Sequence, residues 1–390
     1  MEKQTIAINT PYPHKDAYGA LSMPVYHCCA YEFETASEMA DAFTGKVLEP
    51  DYSRTMNPTV THLEDRVKAL TGATHVAAYN SGMAAISNTL IATLSAGKNI
   101  VTSRHLFGNT FALISKTLAR YGVEARLVDL TDVEAVAAAI DENTAALYLE
   151  IITNPQMEVA DLQALSVLTR QHHIPLIADT TMIPFTEFSA HQLGVDIELV
   201  ASTKYISGGA TSLGGLAIGY GTFPEIEQRL KWELLFNLGA YMTPHAAYMQ
   251  TLGLETLSVR YAQQARNALT LAEELTRLPQ IRYVNYPALK SSPYYQLAQR
   301  QFGETGGAMI TIDLDSEEAC FRFLERLRLV HRATNLFDNR TLAIHPYSTI
   351  FGGFTTEEKA AMDVLPTTIR LSVGLEAPID IMNDIKQALV

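Results

Sequence analysis

The stretch Ile197-Glu198-Leu199-Val200-Ala201-Ser202-Thr203-Lys204, running on into Tyr205-Ile206-Ser207-Gly208-Gly209-Ala210, decides how the chain is read. An apolar run of strand length ends in two hydroxyl residues and a lysine, and a glycine-rich turn through Gly214-Gly215 follows. Lysine seldom closes a buried strand unless something pairs with it. Partial burial lowers its pKa and frees the amine to attack a carbonyl, which makes Lys204 a candidate for a covalent bond to a carbonyl cofactor. A solvated lysine in a glycine- and serine-rich loop also fits these residues, so the flanking segments have to decide.

Outward from that stretch, apolar runs alternate with helical patterns. Strands are expected at 75–79, 99–102, 124–128, 145–150, 175–179, 197–201 and 214–220. Helices are expected between most of them, one running to 94 and others at 110–121, 133–140 and 162–172. This alternation implies a largely parallel sheet covered by helices on both faces, with ligands gathered at the carboxyl ends of strands. The candidate residues stand there. Ser81-Gly82-Met83 lies between a strand end and a helix start, where backbone N–H groups attract an anion and Gly82 lets it come close. Phe107 and Asn154 each follow a strand, and Asp179 ends one, where a carboxylate needs a cationic or hydrogen-bonding partner. No dinucleotide glycine fingerprint and no Walker loop occurs.

Residues 1–50 read as irregular, punctuated by Pro11, Pro13, Gly19 and Pro24, with a short amphipathic piece at 36–43. Such an arm is expected to lie on another subunit or domain. Tyr52-Ser53-Arg54 reads as extended, so that Tyr52 and Arg54 point the same way and together could hold a phosphate. Thr59 is the expected N-cap of a helix over 60–70. From 244 onward a smaller α/β unit is expected, opening with an amphipathic helix over 244–278 interrupted near Gly253. A strand at 309–314, a helix at 316–329, a strand at 341–345, the run Arg370-Leu371-Ser372-Val373-Gly374 and a terminal helix from Ile379 complete it. A buried Arg370 wants an anion, or else a structural salt bridge.

The bulk numbers exclude more than they assign. A net charge of −13 argues against nucleic-acid backbones and anionic membranes as partners. Three cysteines, Cys28, Cys29 and Cys320, make no disulfide framework and no zinc spacing, which fits a reducing compartment. The opening residues carry no apolar signal region, and the uncharged span 76–97 is broken by Asn80, Ser81, Ser87, Asn88 and Thr89. A cytoplasmic protein is expected.

The motifs together resemble the Cys/Met-metabolism family of pyridoxal-5′-phosphate enzymes, the transsulfuration group, along nearly the whole chain. Tyr52-Ser53-Arg54 with Asn57-Pro58-Thr59, Ser81-Gly82-Met83-Ala84-Ala85, Asp179 with Thr181, Thr203-Lys204-Tyr205 and Arg370-Leu371-Ser372-Val373-Gly374 match in order and spacing. The resemblance implies a fold-type I α/β transferase: a mostly parallel seven-stranded sheet flanked by helices, plus a smaller C-terminal α/β domain. It implies an arm over 1–50, a large cofactor domain over 51–243 and a C-terminal domain over 244–390. It also implies roles. Lys204 would bind pyridoxal 5′-phosphate covalently and then move protons at the substrate. Asp179, with Thr181 beside it, would pair with the ring nitrogen. Ser81, Gly82, Met83, Ser202 and Thr203 would surround the phosphate, joined by Tyr52 and Arg54 from a neighbouring subunit of a homotetramer. Asn154 would touch the ring oxygen, Phe107 would stack on the ring, and Arg370, near Asn335, would clamp the substrate carboxylate.

The chain departs from the family pattern at several places. Phe107 stands where the family usually has a tyrosine, Ala201 where it has a serine, Thr180 where an asparagine follows the aspartate, and Asn335-Leu336-Phe337 where Ser-Leu-Gly is usual. Phe107 has no hydroxyl to protonate a leaving group. Losing acetate needs little acid help, while losing a thiolate benefits from it. The expected activity is therefore γ-replacement on an O-acylated homoserine by sulfide or a small thiol, as in O-acetylhomoserine sulfhydrylase. Elimination of the methionine γ-lyase or cystathionine lyase type is the alternative, and a cofactor-binding protein without turnover is a third reading.

Overall fold

The computed structural model describes residues 1–12 and 16–390, so the expected punctuation at Pro13 lies outside the described residues. Seven strands form the larger sheet: β1 (His75–Tyr79), β2 (Asn99–Ser103), β3 (Glu124–Val128), β4 (Thr144–Glu150), β5 (Leu176–Asp179), β6 (Ile197–Val200) and β7 (Gly215–Gly219). Their order is β1-β7-β6-β5-β4-β2-β3. Only β7 runs antiparallel to its neighbours. The carboxyl ends of β1, β4, β5 and β6 therefore share one edge.

The near-continuous apolar runs follow from burial on both faces. In β4, Leu147 and Leu149 enter one hydrophobic core while Ala146 and Tyr148 enter the other. Each fully buried leucine contributes roughly 1.5–3 kcal/mol. Glu198 breaks the apolar run of β6 at no exposed cost, because Thr180 and Tyr220 both donate to its carboxylate at 2.6 Å.

The second sheet is built from β8 (Tyr283–Asn285), β9 (Met309–Asp313), β10 (His331–Arg332), β11 (Leu342–Ile344) and β12 (Thr368–Ser372), in the order β10-β11-β12-β9-β8. It is antiparallel except at β10–β11. β12 lies at its centre and is buried along its whole length, Arg370 included.

Several expectations need correction. The first residues are not wholly irregular: Lys3–Asn9 is a helix whose Lys3 ammonium reaches the Phe188 carbonyl at 3.1 Å, so packing supplies what local sequence did not. Tyr52 and Arg54 lie in a turn, with the Thr55 N–H donating to the Tyr52 carbonyl at 2.8 Å. The helix Pro58–Thr71 is capped by Asn57, whose side chain accepts from the Thr59 N–H. Pro58 at the first helical position makes that earlier start the natural one. The long helix breaks at Thr256 rather than at Gly253, giving Pro244–Glu255 and Leu257–Leu275. Gly253 is instead a packing glycine: a β-carbon there would stand 2.0 Å from the Ile206 carbonyl oxygen. The expected helix at 110–121 is a short α-helix, Gly108–Ala112, passing into wider and then tighter turns up to Tyr121.

Candidate active site

β1 delivers the chain to Ser81, which caps the helix Gly82–Thr93 by accepting the Ala84 N–H at 3.1 Å. That bond spends the serine hydroxyl and leaves the first helical N–H groups free, with the helix dipole behind them. Gly82 is required sterically. A β-carbon on it would lie 2.7 Å from the Ala201 β-carbon, and one on Gly215 would lie 2.2 Å from the Ser81 carbonyl oxygen. The turn after β1 is thus pressed against the end of β6 and the start of β7, beside Lys204. Met83 lies on the same helix, with the Thr110 hydroxyl at 3.8 Å from its sulfur.

After β6 the residues alternate. Ala201 faces the Ser81–Gly82 turn. Ser202 is fully buried on the other side, against Gly214, and its hydroxyl has no partner among the described residues. The Thr203 hydroxyl is tied to Gly214, donating to its carbonyl at 3.1 Å and accepting its N–H at 3.0 Å. Lys204 Nζ donates to Asn335 Oδ1 at 2.8 Å. Burial and the nearby Arg370 charge lower this lysine to about 8, with Asp179 pulling the other way. A lysine so tuned holds a useful fraction of free amine near neutral pH.

Asp179 ends β5 with its carboxylate accepting the Thr181 N–H at 2.9 Å. The Thr181 hydroxyl in turn accepts the Ala201 N–H at 2.8 Å and locks β5 to the lysine segment. Burial raises the Asp179 pKa, opposed by Thr181 and by the charge of Lys204, and the net shift is upward. Such a carboxyl lacks a full cationic partner.

Arg370, 3 % exposed, comes from the other sheet. Its guanidinium donates to Asn154 Oδ1 and to the Asn335 carbonyl, both at 3.2 Å, and its Nε has no partner among the described residues. Burial lowers it to about 9. A buried cation with long bonds and an orphaned donor is short of an anion. The structure therefore brings Lys204, Asp179, Thr181, Asn154, Asn335, Arg370 and the Ser81–Met83 turn together. Tyr52 and Arg54 stand apart. The Arg54 guanidinium reaches the Phe236 carbonyl and lies 5.6 Å from the centre of the Tyr52 ring.

One residue that the sequence reading passed over belongs to this neighbourhood, and a second lies in the loop after β2. Glu150 ends β4 as Asp179 ends β5, and its Oε1 accepts the Phe107 N–H at 2.7 Å. The signal that singled out Asp179, a carboxylate closing an apolar strand, was equally present at Glu150. His105 has both ring nitrogens on carboxylates, and a lone histidine in a loop gives no such signal.

These features fit pyridoxal 5′-phosphate. Free helix-start N–H groups beside a glycine that admits no side chain suit a phosphate. A depressed lysine suits an aldehyde, and an under-paired aspartate suits a protonated ring nitrogen. The orphaned Arg370 Nε suits a substrate carboxylate.

Comparisons with known proteins agree. The chain is 36% identical over 388 residues to an L-methionine gamma-lyase of Pseudomonas putida, covering 99% of this chain and 96% of that one. A solved structure from Campylobacter jejuni, assigned as an O-acetylhomoserine (thiol)-lyase and carrying a pyridoxyl-lysine phosphate, superposes with a TM-score of 0.96 at 31% identity over 100% of both chains. The O-acetylhomoserine sulfhydrylase of Wolinella succinogenes is 43% identical, with a TM-score of 0.77, over 87% of this chain and 99% of that one. The fold is the fold-type I arrangement expected from the sequence. The family profile for Cys/Met metabolism PLP-dependent enzymes matches residues 4–390, and the chain belongs to that family of pyridoxal-phosphate lyases and sulfhydrylases acting on small amino acids.

Proposed function

We propose that the protein carries out γ-replacement on an O-acylated homoserine, with sulfide or a small thiol as acceptor, giving homocysteine or methionine. The observation that carries this reading is Phe107, whose backbone is pinned by Glu150 at the carboxyl edge of the sheet and whose side chain has no proton to give. A carboxylate leaving group departs without an acid; a thiolate does so poorly.

Lys204 would hold the cofactor, Asp179 its ring nitrogen, Asn154 its ring oxygen, and the Gly82 and Met83 N–H groups, with Ser81 and Thr203 beside them, its phosphate; the burial of Ser202 against Gly214, on the side away from that turn, speaks against the phosphate contact expected of it. When bound, the cofactor supplies an electron sink for carbanion charge on the substrate. The chain's own residues do the rest. Arg370 exchanges its long bonds to Asn154 and Asn335 for the substrate carboxylate, orienting the amino acid. Lys204, lowered to about 8 by burial and by Arg370, takes and returns protons at the substrate carbons. Asn335 steadies the lysine between transfers. Phe107 would cover one face of the ring and exclude water.

Residues 51–243 would form the cofactor domain and 244–390 the smaller one. The arm over 1–50, together with Tyr52 and Arg54, would complete the site of a neighbouring copy in a homotetramer. The exposed apolar side chains of Tyr18, Leu21, Phe43, Leu48 and Trp232 support an oligomer. Three free cysteines suit a reducing compartment such as the cytoplasm. Among the described residues no helix is long and apolar enough to cross a membrane.

Elimination is the second reading, favoured by the 36% identity to the Pseudomonas putida methionine gamma-lyase. Purified protein offered O-acetylhomoserine plus sulfide, O-succinylhomoserine plus sulfide, and methionine alone separates the two. Homocysteine from an ester is the expected product. Release of 2-oxobutanoate from methionine, with no replacement product from either ester, would reverse the assignment.

A further inference from the structure

Glu150 and Asp179 are register partners on adjacent parallel strands, so their carboxyls leave the same face of the sheet at the same edge. Glu150 is 7 % exposed. Its Oε1 accepts the Phe107 N–H at 2.7 Å, and the Asn154 N–H faces the same carboxyl. One buried side chain thus lies between two flanks of the cofactor site, bonded to the backbone of one and facing the amide of the other. On one flank is Phe107; on the other is Asn154, whose side chain Arg370 contacts at 3.2 Å.

Buried carboxyls on register partners of adjacent strands resist ionising together. Burial and the Asp179 charge push Glu150 well above the usual carboxylate range, against the pull of the Phe107 and Asn154 amides. Asp179 is also raised by burial, but Thr181 and the Lys204 charge draw it back toward ionisation. Tyr148, packed nearby, is fully buried and raised by the same two carboxyls after burial itself, so it adds no charge.

We propose that Glu150 is a positioning residue of the cofactor site: its buried carboxyl holds the Phe107 and Asn154 backbones and, as the uncharged member of its pair with Asp179, leaves Asp179 as the anion that meets the ring nitrogen. This rests on the cofactor roles given to Lys204 and Asp179 above. A consequence follows for substitution. Glutamine keeps an acceptor oxygen and carries no charge, so it can stand in for Glu150, whereas alanine removes the acceptor.

The test titrates pyridoxal 5′-phosphate calorimetrically into apoprotein of the parent, Glu150→Gln and Glu150→Ala, and follows the visible band of each holoprotein against pH. Glu150→Gln should bind within about threefold of the parent and keep its spectral pH midpoint, while Glu150→Ala should weaken binding by roughly tenfold or more. Infrared difference spectra should show a protonated-carboxyl stretch in the parent that Glu150→Gln lacks. Should Glu150→Gln be as weak as Glu150→Ala, the charge matters and the proposal fails. Parent-like binding by a folded Glu150→Ala, or no protonated carboxyl in the parent, overturns it as well. If Glu150→Ala does not fold, as judged by melting of the apoprotein, the glutamine variant and the infrared band still decide. A parent that forms no borohydride-fixed lysine adduct would instead refute the cofactor reading, which is a separate outcome.

Discussion

Lys204 and Asn335 meet across the two sheets: Nζ donates to Oδ1 at 2.8 Å although 131 positions separate them. The lysine segment follows β6 and the asparagine follows β10, so this bond couples the end of β6 to the smaller sheet. Asn335→Leu removes the acceptor while keeping the backbone carbonyl that Arg370 uses. The bond favours the charged lysine, so its loss should lower the amine below its present value near 8. In apoprotein, the pH midpoint for covalent uptake of pyridoxal 5′-phosphate should fall by about one unit. An unmoved midpoint would show that the bond has no bearing on the lysine.

The Gly82–Ala201 contact makes a second prediction. Gly82→Ala puts a methyl 2.7 Å from the Ala201 β-carbon and 3.0 Å from its α-carbon. The turn must move, and cofactor affinity should drop by roughly tenfold or more. Ala201→Gly in the same chain removes the closer clash but not the farther one, so affinity should return in part. Calorimetric titration of the single and double variants measures this, and a double variant no better than Gly82→Ala would contradict the geometry.

His105 gives the fold a pH dependence. Its Nδ1 stands 2.5 Å from Glu158 and its Nε2 stands 2.8 Å from Asp363, with Arg104 also on Asp363 at 3.3 Å. Burial works to lower its pKa, but the two carboxylates outweigh burial and the Arg104 charge, and the net shift is upward. A raised folded value means that the stabilisation is complete below the ordinary histidine value of about 6.5 and is lost as pH rises through the folded one. The Tm advantage of the parent over His105→Gln should therefore be largest near pH 6 and shrink by about pH 9. A constant difference over that range would mean that the charge contributes nothing.

Phe337 adopts φ +57°, in the left-handed region, where the family pattern has glycine. Its ring stacks on Tyr205 at 3.9 Å and 6°, and its N–H donates to the Ser372 hydroxyl at 2.7 Å. Packing thus offsets a backbone strain of order 1–3 kcal/mol. Phe337→Ala should destabilise by about 3–5 kcal/mol, because the stack goes and the strain stays. Phe337→Gly also loses the stack but relaxes the strain, so it should be at least as stable as the alanine variant. That ordering reverses the usual penalty of roughly 0.5–1 kcal/mol for glycine, and urea unfolding of the two apoproteins measures it.

The larger sheet was legible because its strands are buried on both faces. Runs such as Ala145 to Leu149 carry no polar alternation to confuse with a surface strand, and turn residues punctuate each one. β8 and β10 were not legible, since three- and two-residue strands have no period to read and exist only through pairing with β9 and β11. The same division holds in the site. The candidates Ser81, Gly82, Asp179 and Lys204 stood out as strand-end residues. The charge partner of Asp179 on β4 did not, because Glu150 becomes its neighbour only when two parallel strands come into register.

By itself the sequence determined the family, the cofactor and the alternation of strands and helices, because motif spacing and side-chain period are local properties of the chain. Only the tertiary structure decided that Lys204 leans on Asn335, that Arg370 hangs between Asn154 and Asn335 with one donor unspent, and that Glu150 lies beside Asp179. The reason is physical. Those contacts join segments far apart in sequence, and packing of the two cores and strand register, not any local preference, bring them within bonding distance.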